Sequence, residues 1–170
     1  MKLAKNLENL GTESAFSVLA EAKALEAKGK PMIHLGLGQP DFKTPKHIQE
    51  AAKKAIDSEK YFGYPPVAGY MDFREAIAKK FRNENGIQCE AANIVVSTGA
   101  KQSIANVMMS MLNPGDEVIV LSPYWVSYAD VIKVAEGTPI YVQGDIDNNF
   151  KANAAQIEAA ITDKTKMMIY

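Results

Sequence analysis

The sequence predicts an α/β fold in which a helical N-terminal region leads into a mostly parallel sheet flanked by helices. Apolar positions switch repeatedly between the helical and the strand period. From residue 90 or so onward the order becomes strand, helix, strand, helix. The strand runs there are apolar throughout, and the segments between them are long enough for crossover helices. Strands with that composition pair in parallel with both faces covered.

Each element has its own signal. Ala15, Val18, Leu19, Ala22 and Leu25 recur at helical spacing, and Gly29 with Pro31 ends that helix. Thr44 is the expected cap of a second helix opening at Pro45, with Ile48, Ala51, Ala52, Ala55 and Ile56 as its stripe. A third helix is predicted from about Tyr70 to Asn85, with Tyr70, Phe73, Ile77 and Phe81 inward and Gly86 just past its end. Ile94 to Val96 is a β-branched run read as a strand, followed by a helix carrying Ile104, Val107, Met108 and Met111. The turn Asn113-Pro114-Gly115-Asp116 precedes a strand from Glu117 to Leu121. Tyr128, Val131, Ile132 and Ala135 mark the next helix, and Pro139 to Val142 the next strand. Ile157, Ala160 and Ile161 mark the last helix, and Lys166 to Tyr170 a final strand. An apolar parallel strand with no polar tail after it leads to the expectation of a chain cut within a sheet.

Composition narrows the function classes. The 170 residues are 47% hydrophobic and carry 19 basic against 20 acidic side chains, so no long-range field favours nucleic acid or an anionic membrane. A single cysteine, Cys89, excludes an internal disulfide, and with two histidines a metal site is not expected. Charged residues through the first thirty positions leave no apolar run for a leader or a membrane span, so a cytoplasmic location is expected.

The segment Ser97-Thr98-Gly99-Ala100-Lys101-Gln102-Ser103 joins a predicted strand to a helix. Backbone N–H groups at such a helix start, together with the positive end of its dipole, suit an anion, and Gly99 permits close approach. A plain strand-to-helix turn containing a glycine has the same appearance. Gly36-Leu37-Gly38-Gln39-Pro40-Asp41 begins like a dinucleotide fingerprint but lacks the third glycine, and Pro40 prevents a helix from opening there. Aromatics in proline-containing loops, Tyr61-Phe62-Gly63-Tyr64-Pro65-Pro66 and Pro123-Tyr124-Trp125, suit either stacking on a planar ligand or packing beneath a loop. His34 and His47 have no partner at catalytic spacing and are read as structural, and Met108, Met109 and Met111 as core.

Taken in order, these motifs resemble a known family. The stretch from Gly38 to Pro45 is similar to the G-x-P-D-F-x-T-P segment of the class I/II aminotransferases, the pyridoxal-phosphate (PLP) enzymes of fold type I. Tyr64 to Gly69 with Phe73-Arg74-Glu75-Ala76 resembles that family's Y-x-P-P-x-G…L-R-E-A stretch. Thr98 to Gln102, Asn113 to Val118 and Ser122 to Tyr128 match in the same order, so the resemblance covers essentially the whole chain.

The resemblance implies an N-terminal arm and helix over residues 1–40, belonging to a small domain, and the first part of the PLP-binding large domain over 41–170. It implies that Gly99, Ala100 and Lys101 hold the PLP phosphate, that Trp125 stacks on the pyridine ring, and that Tyr64 reaches the phosphate of the neighbouring subunit of a homodimer. Gly38 would lie against the substrate α-carboxylate, Lys101 would also meet a distal carboxylate, and Phe16 and Ser17 would border the substrate side chain. The substrates would be an amino acid, aspartate- or glutamate-like, and a 2-oxo acid. The Schiff-base lysine and both family arginines lie further along such chains; Arg74 and Arg82, the only arginines here, match neither. This segment therefore holds no catalytic residue and is expected to be inactive alone. The neighbours of the Ile94 to Val96 strand also come later in such chains, so that strand is expected to stay unpaired. A short non-catalytic PLP- or phosphate-binding module, and another fold type I enzyme such as a β-lyase, are the alternatives.

Overall fold

A computed structural model describes residues 4, 7, 10, 14–36, 38 and 40–170, the side chains of 14 and 15 excepted. The expectations for Ala15, Leu37 and Gln39 therefore fall outside the described residues. The chain divides into two compact units, Met1–Leu37 with Thr98–Tyr170, and Gly38–Ser97.

In the first unit, helix α1 spans Ser14–Glu26 and ends at Gly29 as its sequence predicts. His34 is tied back to its last turn by a 2.8 Å contact between Nε2 and Glu26 Oε1, which fits a structural histidine. After Thr98 the order is α4 (Ala100–Met111), β1 (Glu117–Ser122), α5 (Ser127–Val134), β2 (Thr138–Gln143), α6 (Ala154–Ala159) and β3 (Thr165–Ile169). Numbers α2 and α3 belong to the other unit. The strands form one parallel sheet in the order β2-β1-β3. β1 is central, so every one of its residues has ladder partners, and a shift of register falls between Glu117 and Val118 on the β3 side.

Side-chain alternation places Val118 and Val120 on one face of β1 and Ile119 on the other, and all three are fully buried. Val118 and Val120 cluster with Met108 and Leu112 from the end of α4 and with Ile132 of α5. Covering such a strand removes branched apolar side chains from water at about 25 cal/mol per Å². Of the methionines read as core, Met108 is buried, whereas Met109 and Met111 are exposed. Met109 directly follows Met108 and so turns away from the stripe that α4 lays on the sheet.

In the second unit, α2 spans Lys46–Asp57 and α3 Met71–Asn85, and a single turn of 3₁₀ helix covers Ala91–Asn93. Thr44 is not the cap of α2. Pro45 holds that position with an extended ψ of 143°, and its carbonyl accepts from Ile48 and Gln49, so the helix opens one residue later. α2 buries no residue, and its stripe, Ile48 and Ile56 included, is exposed. α3 ends at Gly86, as expected, but buries Ala78 and leaves Phe73 exposed.

Ile94 to Val96 is not part of the sheet. Ile94 has extended backbone, yet among the described residues the run joins no ladder. The Ile94 carbonyl accepts from Arg74 Nε at 2.9 Å, and the Val96 N–H donates to the Ala68 carbonyl at 3.0 Å. Loop and side-chain partners thus satisfy groups that a neighbouring strand would otherwise pair.

Candidate functional site

The site begins at the start of α4. Gly99 occupies the N-cap position with φ 81° and ψ 164°, a backbone region essentially reserved for glycine. This conformation turns the chain into the helix without a side chain over the opening, and a Cβ there would meet only open space. The Thr98 N–H donates to Gln102 Oε1, one turn ahead, and the Ser103 N–H donates to the Gly99 carbonyl at 3.3 Å. First-turn N–H groups have no acceptor within their own helix and point outward with the dipole behind them. An anion of phosphate size suits that arrangement.

α4 runs back along the sheet, so its start lies at the carboxyl end of β1. The loop leaving β1 at that end carries Trp125. The Ser122–Pro123 peptide is cis, and the loop closes into α5 through a 2.9 Å bond from the Tyr128 N–H to the Trp125 carbonyl. Trp125 is half exposed, and the Lys101 ammonium lies 5.7 Å from its ring centroid. That separation is within cation–π range. A cation, a helix start and an aromatic face are thus gathered at the carboxyl edge of a parallel sheet, where ligands of open α/β folds bind.

Beside Trp125, the ring of Tyr124 stacks on Tyr141 of β2 at 5.4 Å between centroids and 17° between planes. Burial, followed by the hydrogen bond with Tyr141, pushes the Tyr124 phenol above its ordinary pKa. The stack joins the loop to β2. Neither Gln102 nor Tyr141 stands out in the sequence, because each acts through a contact that only the fold creates.

The other candidates are placed as follows. Phe16 and Ser17 lie exposed on α1, in the same unit as Lys101 and Trp125. Gly38 and Tyr64 belong to the second unit; Gly38 is exposed with open space around its α-carbon, and Tyr64 is fully exposed. The turn Gly99-Ala100-Lys101 and Trp125 are the candidates that the described contacts bring together. The arrangement fits PLP: an anion cradle, a neighbouring cation and an accessible aromatic face match a phosphate joined to a flat ring. Among the described residues, no group of three or more His, Cys, Asp or Glu side chains is placed to hold a metal, and no helix is long and apolar enough to cross a membrane.

Residues 30–170 match the family model for aminotransferase class I and II. The aspartate/prephenate aminotransferase of Nitrosomonas europaea is 41% identical over 99% of this chain and 42% of its own length. The crystal structure of the aspartate aminotransferase from Rhizobium meliloti superposes with a TM-score of 0.92 at 40% identity, over 99% of this chain and 42% of that one. The Thermus thermophilus aspartate aminotransferase with maleate gives a TM-score of 0.91 at 37% identity, over all of this chain and 44% of that one. The chain thus spans less than half the length of these relatives and corresponds to their N-terminal part. The α/β fold with its partial parallel sheet is shared with them. On the extent of the family match and the agreement in fold, the chain belongs to the class I and II aminotransferases.

Proposed function

We propose that this chain is the N-terminal portion of a cytoplasmic, homodimeric, PLP-dependent aminotransferase acting on an aspartate- or glutamate-like amino acid and a 2-oxo acid. Residues 1–40 would form part of its small domain, and 41–170 the first part of the domain that binds the cofactor. The observation that carries the reading is the Lys101 ammonium over Trp125 at the start of α4.

When bound, PLP supplies an electron sink for the proton shift of amino transfer. The turn Gly99-Ala100-Lys101 would hold its phosphate with backbone N–H groups and the helix dipole. Trp125 would stack on its ring and fix the ring plane, excluding water from one face. Tyr64 would reach the phosphate held by the neighbouring subunit. Gly38 would allow the substrate carboxylate to lie close to the backbone, and Phe16 and Ser17 would border the substrate side chain.

Lys101 would add preference for a dicarboxylate. A relative of this chain carries maleate, a dicarboxylic acid, in its structure. A charge-assisted contact to a second carboxylate contributes about 1.5–3 kcal/mol. In the full-length enzyme, Lys101→Ser should therefore lower kcat/KM for aspartate and glutamate by about tenfold or more while changing that for alanine little. Equal losses for all donors would remove the specificity role.

A further inference from the structure

The loop that presents Tyr64 is held at both ends, at its start by α3 and at its far end by Val96. At its start, the Lys60 ammonium donates to the Tyr61 hydroxyl oxygen at 3.0 Å, and that hydroxyl donates to Asp72 Oδ2 at 3.1 Å. Lys60 also lies 3.5 Å from the same carboxylate oxygen and 4.7 Å from the Tyr61 ring centroid. The other Asp72 oxygen accepts from the Phe73 N–H at 2.9 Å, which fixes the carboxylate on the first turn of α3. The Tyr61 ring meets Tyr70, the N-cap residue of α3, edge-on at 5.1 Å.

The far end of the loop is closed separately. The Gly69 N–H donates to the Pro66 carbonyl at 2.8 Å, and Val96 presses against the Gly69 α-carbon so closely that a Cβ there would stand 2.7 Å from Val96 Cγ2. Gly69 has φ 96°, so both its space and its conformation require glycine. α3 is itself held by Arg74 on the Ile94 carbonyl. Between these two anchors stands Tyr64, fully exposed, with Gly63 before it at φ 97°. A fully exposed side chain receives no packing that would fix its direction, so its aim depends on how the loop ends are held.

We infer that Tyr61 and Asp72 are positioning residues whose hydrogen bond fixes the loop that presents Tyr64. The inference rests on the reading of Tyr64 as a phosphate contact, and it adds a function for Tyr61 and Asp72 that the cofactor site itself does not require. Pre-positioning one end of a contact reduces the conformational freedom lost when it forms, so the clamp acts on affinity without touching the ligand.

The test compares Tyr61→Phe, Asp72→Asn, Tyr64→Phe and the Tyr61→Phe/Tyr64→Phe pair in the full-length protein. Tyr61→Phe keeps the edge contact with Tyr70 and removes only the hydroxyl. Two readouts are needed: amide hydrogen exchange across residues 61–67, and PLP affinity from titration of the apoprotein. Tyr61→Phe and Asp72→Asn should each speed exchange in that loop about threefold to tenfold, with helix α3 unchanged. Each should also weaken PLP severalfold, and Tyr61→Phe should add no loss once Tyr64 is Phe. Unchanged loop exchange in Tyr61→Phe overturns the clamp, as does weakened binding in Tyr64→Phe with none in Tyr61→Phe. Unchanged affinity in Tyr64→Phe overturns the phosphate reading, and the clamp's place in the cofactor site falls with it.

Discussion

Helices α2 and α4 are each 12 residues long and each carries an apolar stripe at helical spacing, yet their fates differ. α4 lays Met108 against Val118, Val120 and Ile132, next to a strand with ladder partners on both sides. α2 buries nothing, and Ile56 is 67% exposed. Periodicity identifies which face of a helix is apolar. Whether that face is covered depends on partners contributed from elsewhere in sequence, and a local pattern holds no record of them.

Substitutions in the two stripes should differ most in their cost. Ile132→Ala should destabilise by about 2–5 kcal/mol, because the methyls removed leave a cavity in a fully buried cluster. Ile56→Ala should stay within about 0.5 kcal/mol, as expected for an exposed position. Denaturant midpoints for the two variants measure the difference directly. Equal losses would show that the α2 stripe is not an uncovered surface.

At the carboxyl edge of the sheet, Gly99→Ala should cost about 1–3 kcal/mol of local strain, since a side chain is forced into a glycine-only conformation. The strain falls on the turn proposed to hold the phosphate, so PLP titration of the apoprotein should detect it before thermal unfolding does. A smaller effect is expected at Lys101. Its cation–π contact with Trp125 is worth about 0.5–1 kcal/mol at an exposed site. A double-mutant cycle with Lys101→Met and Trp125→Leu measures it, and additive losses would show that the pair does not interact.

The smallest effect is a pH dependence of the Tyr61 loop. The hydrogen bond from Tyr61 comes first among the causes that hold the Asp72 carboxyl below its ordinary value near 3.8. Its folded-state pKa is depressed, so the clamp is complete above that ordinary value and is lost as pH falls through the lowered one. Lys60 is shifted up from 10.5, chiefly by its hydrogen bond to Tyr61. Its share persists below 10.5 and is lost as pH rises through the raised value. Loop exchange relative to α3, followed from pH 8 downward, should change only in the acid range; a change centred near neutrality would contradict the assignment.

Much of the first unit is legible in the sequence because its strands centre on short apolar runs and the turn Asn113-Pro114-Gly115-Asp116 marks the start of one of them. The observed strand bounds differ from the expected ones by about a residue at each end, within the usual fraying of assignments. Gly99, Lys101 and Trp125 are legible as types, but their juxtaposition depends on the start of α4 meeting the loop that leaves β1, a contact made only in the fold. Ile94 to Val96 reads as a strand because β-branched residues favour extended backbone, whereas a ladder also needs a neighbour. Thr44 reads as a cap because threonine suits that role, and the extended ψ of Pro45 moves the helix start past it. The contact of Tyr61 with Asp72 spans 11 positions of loop and helix, a separation that no periodicity marks.

Trp125, beside the α4 start, is proposed as the stacking face for PLP. The most direct measurement is a PLP titration of full-length wild-type and Trp125→Ala apoprotein, followed by the cofactor's visible absorbance. Loss of the stack should weaken binding by about 0.5–1.5 kcal/mol beyond the buried area lost, and should shift the absorbance maximum. Unchanged affinity together with an unchanged spectrum would contradict it.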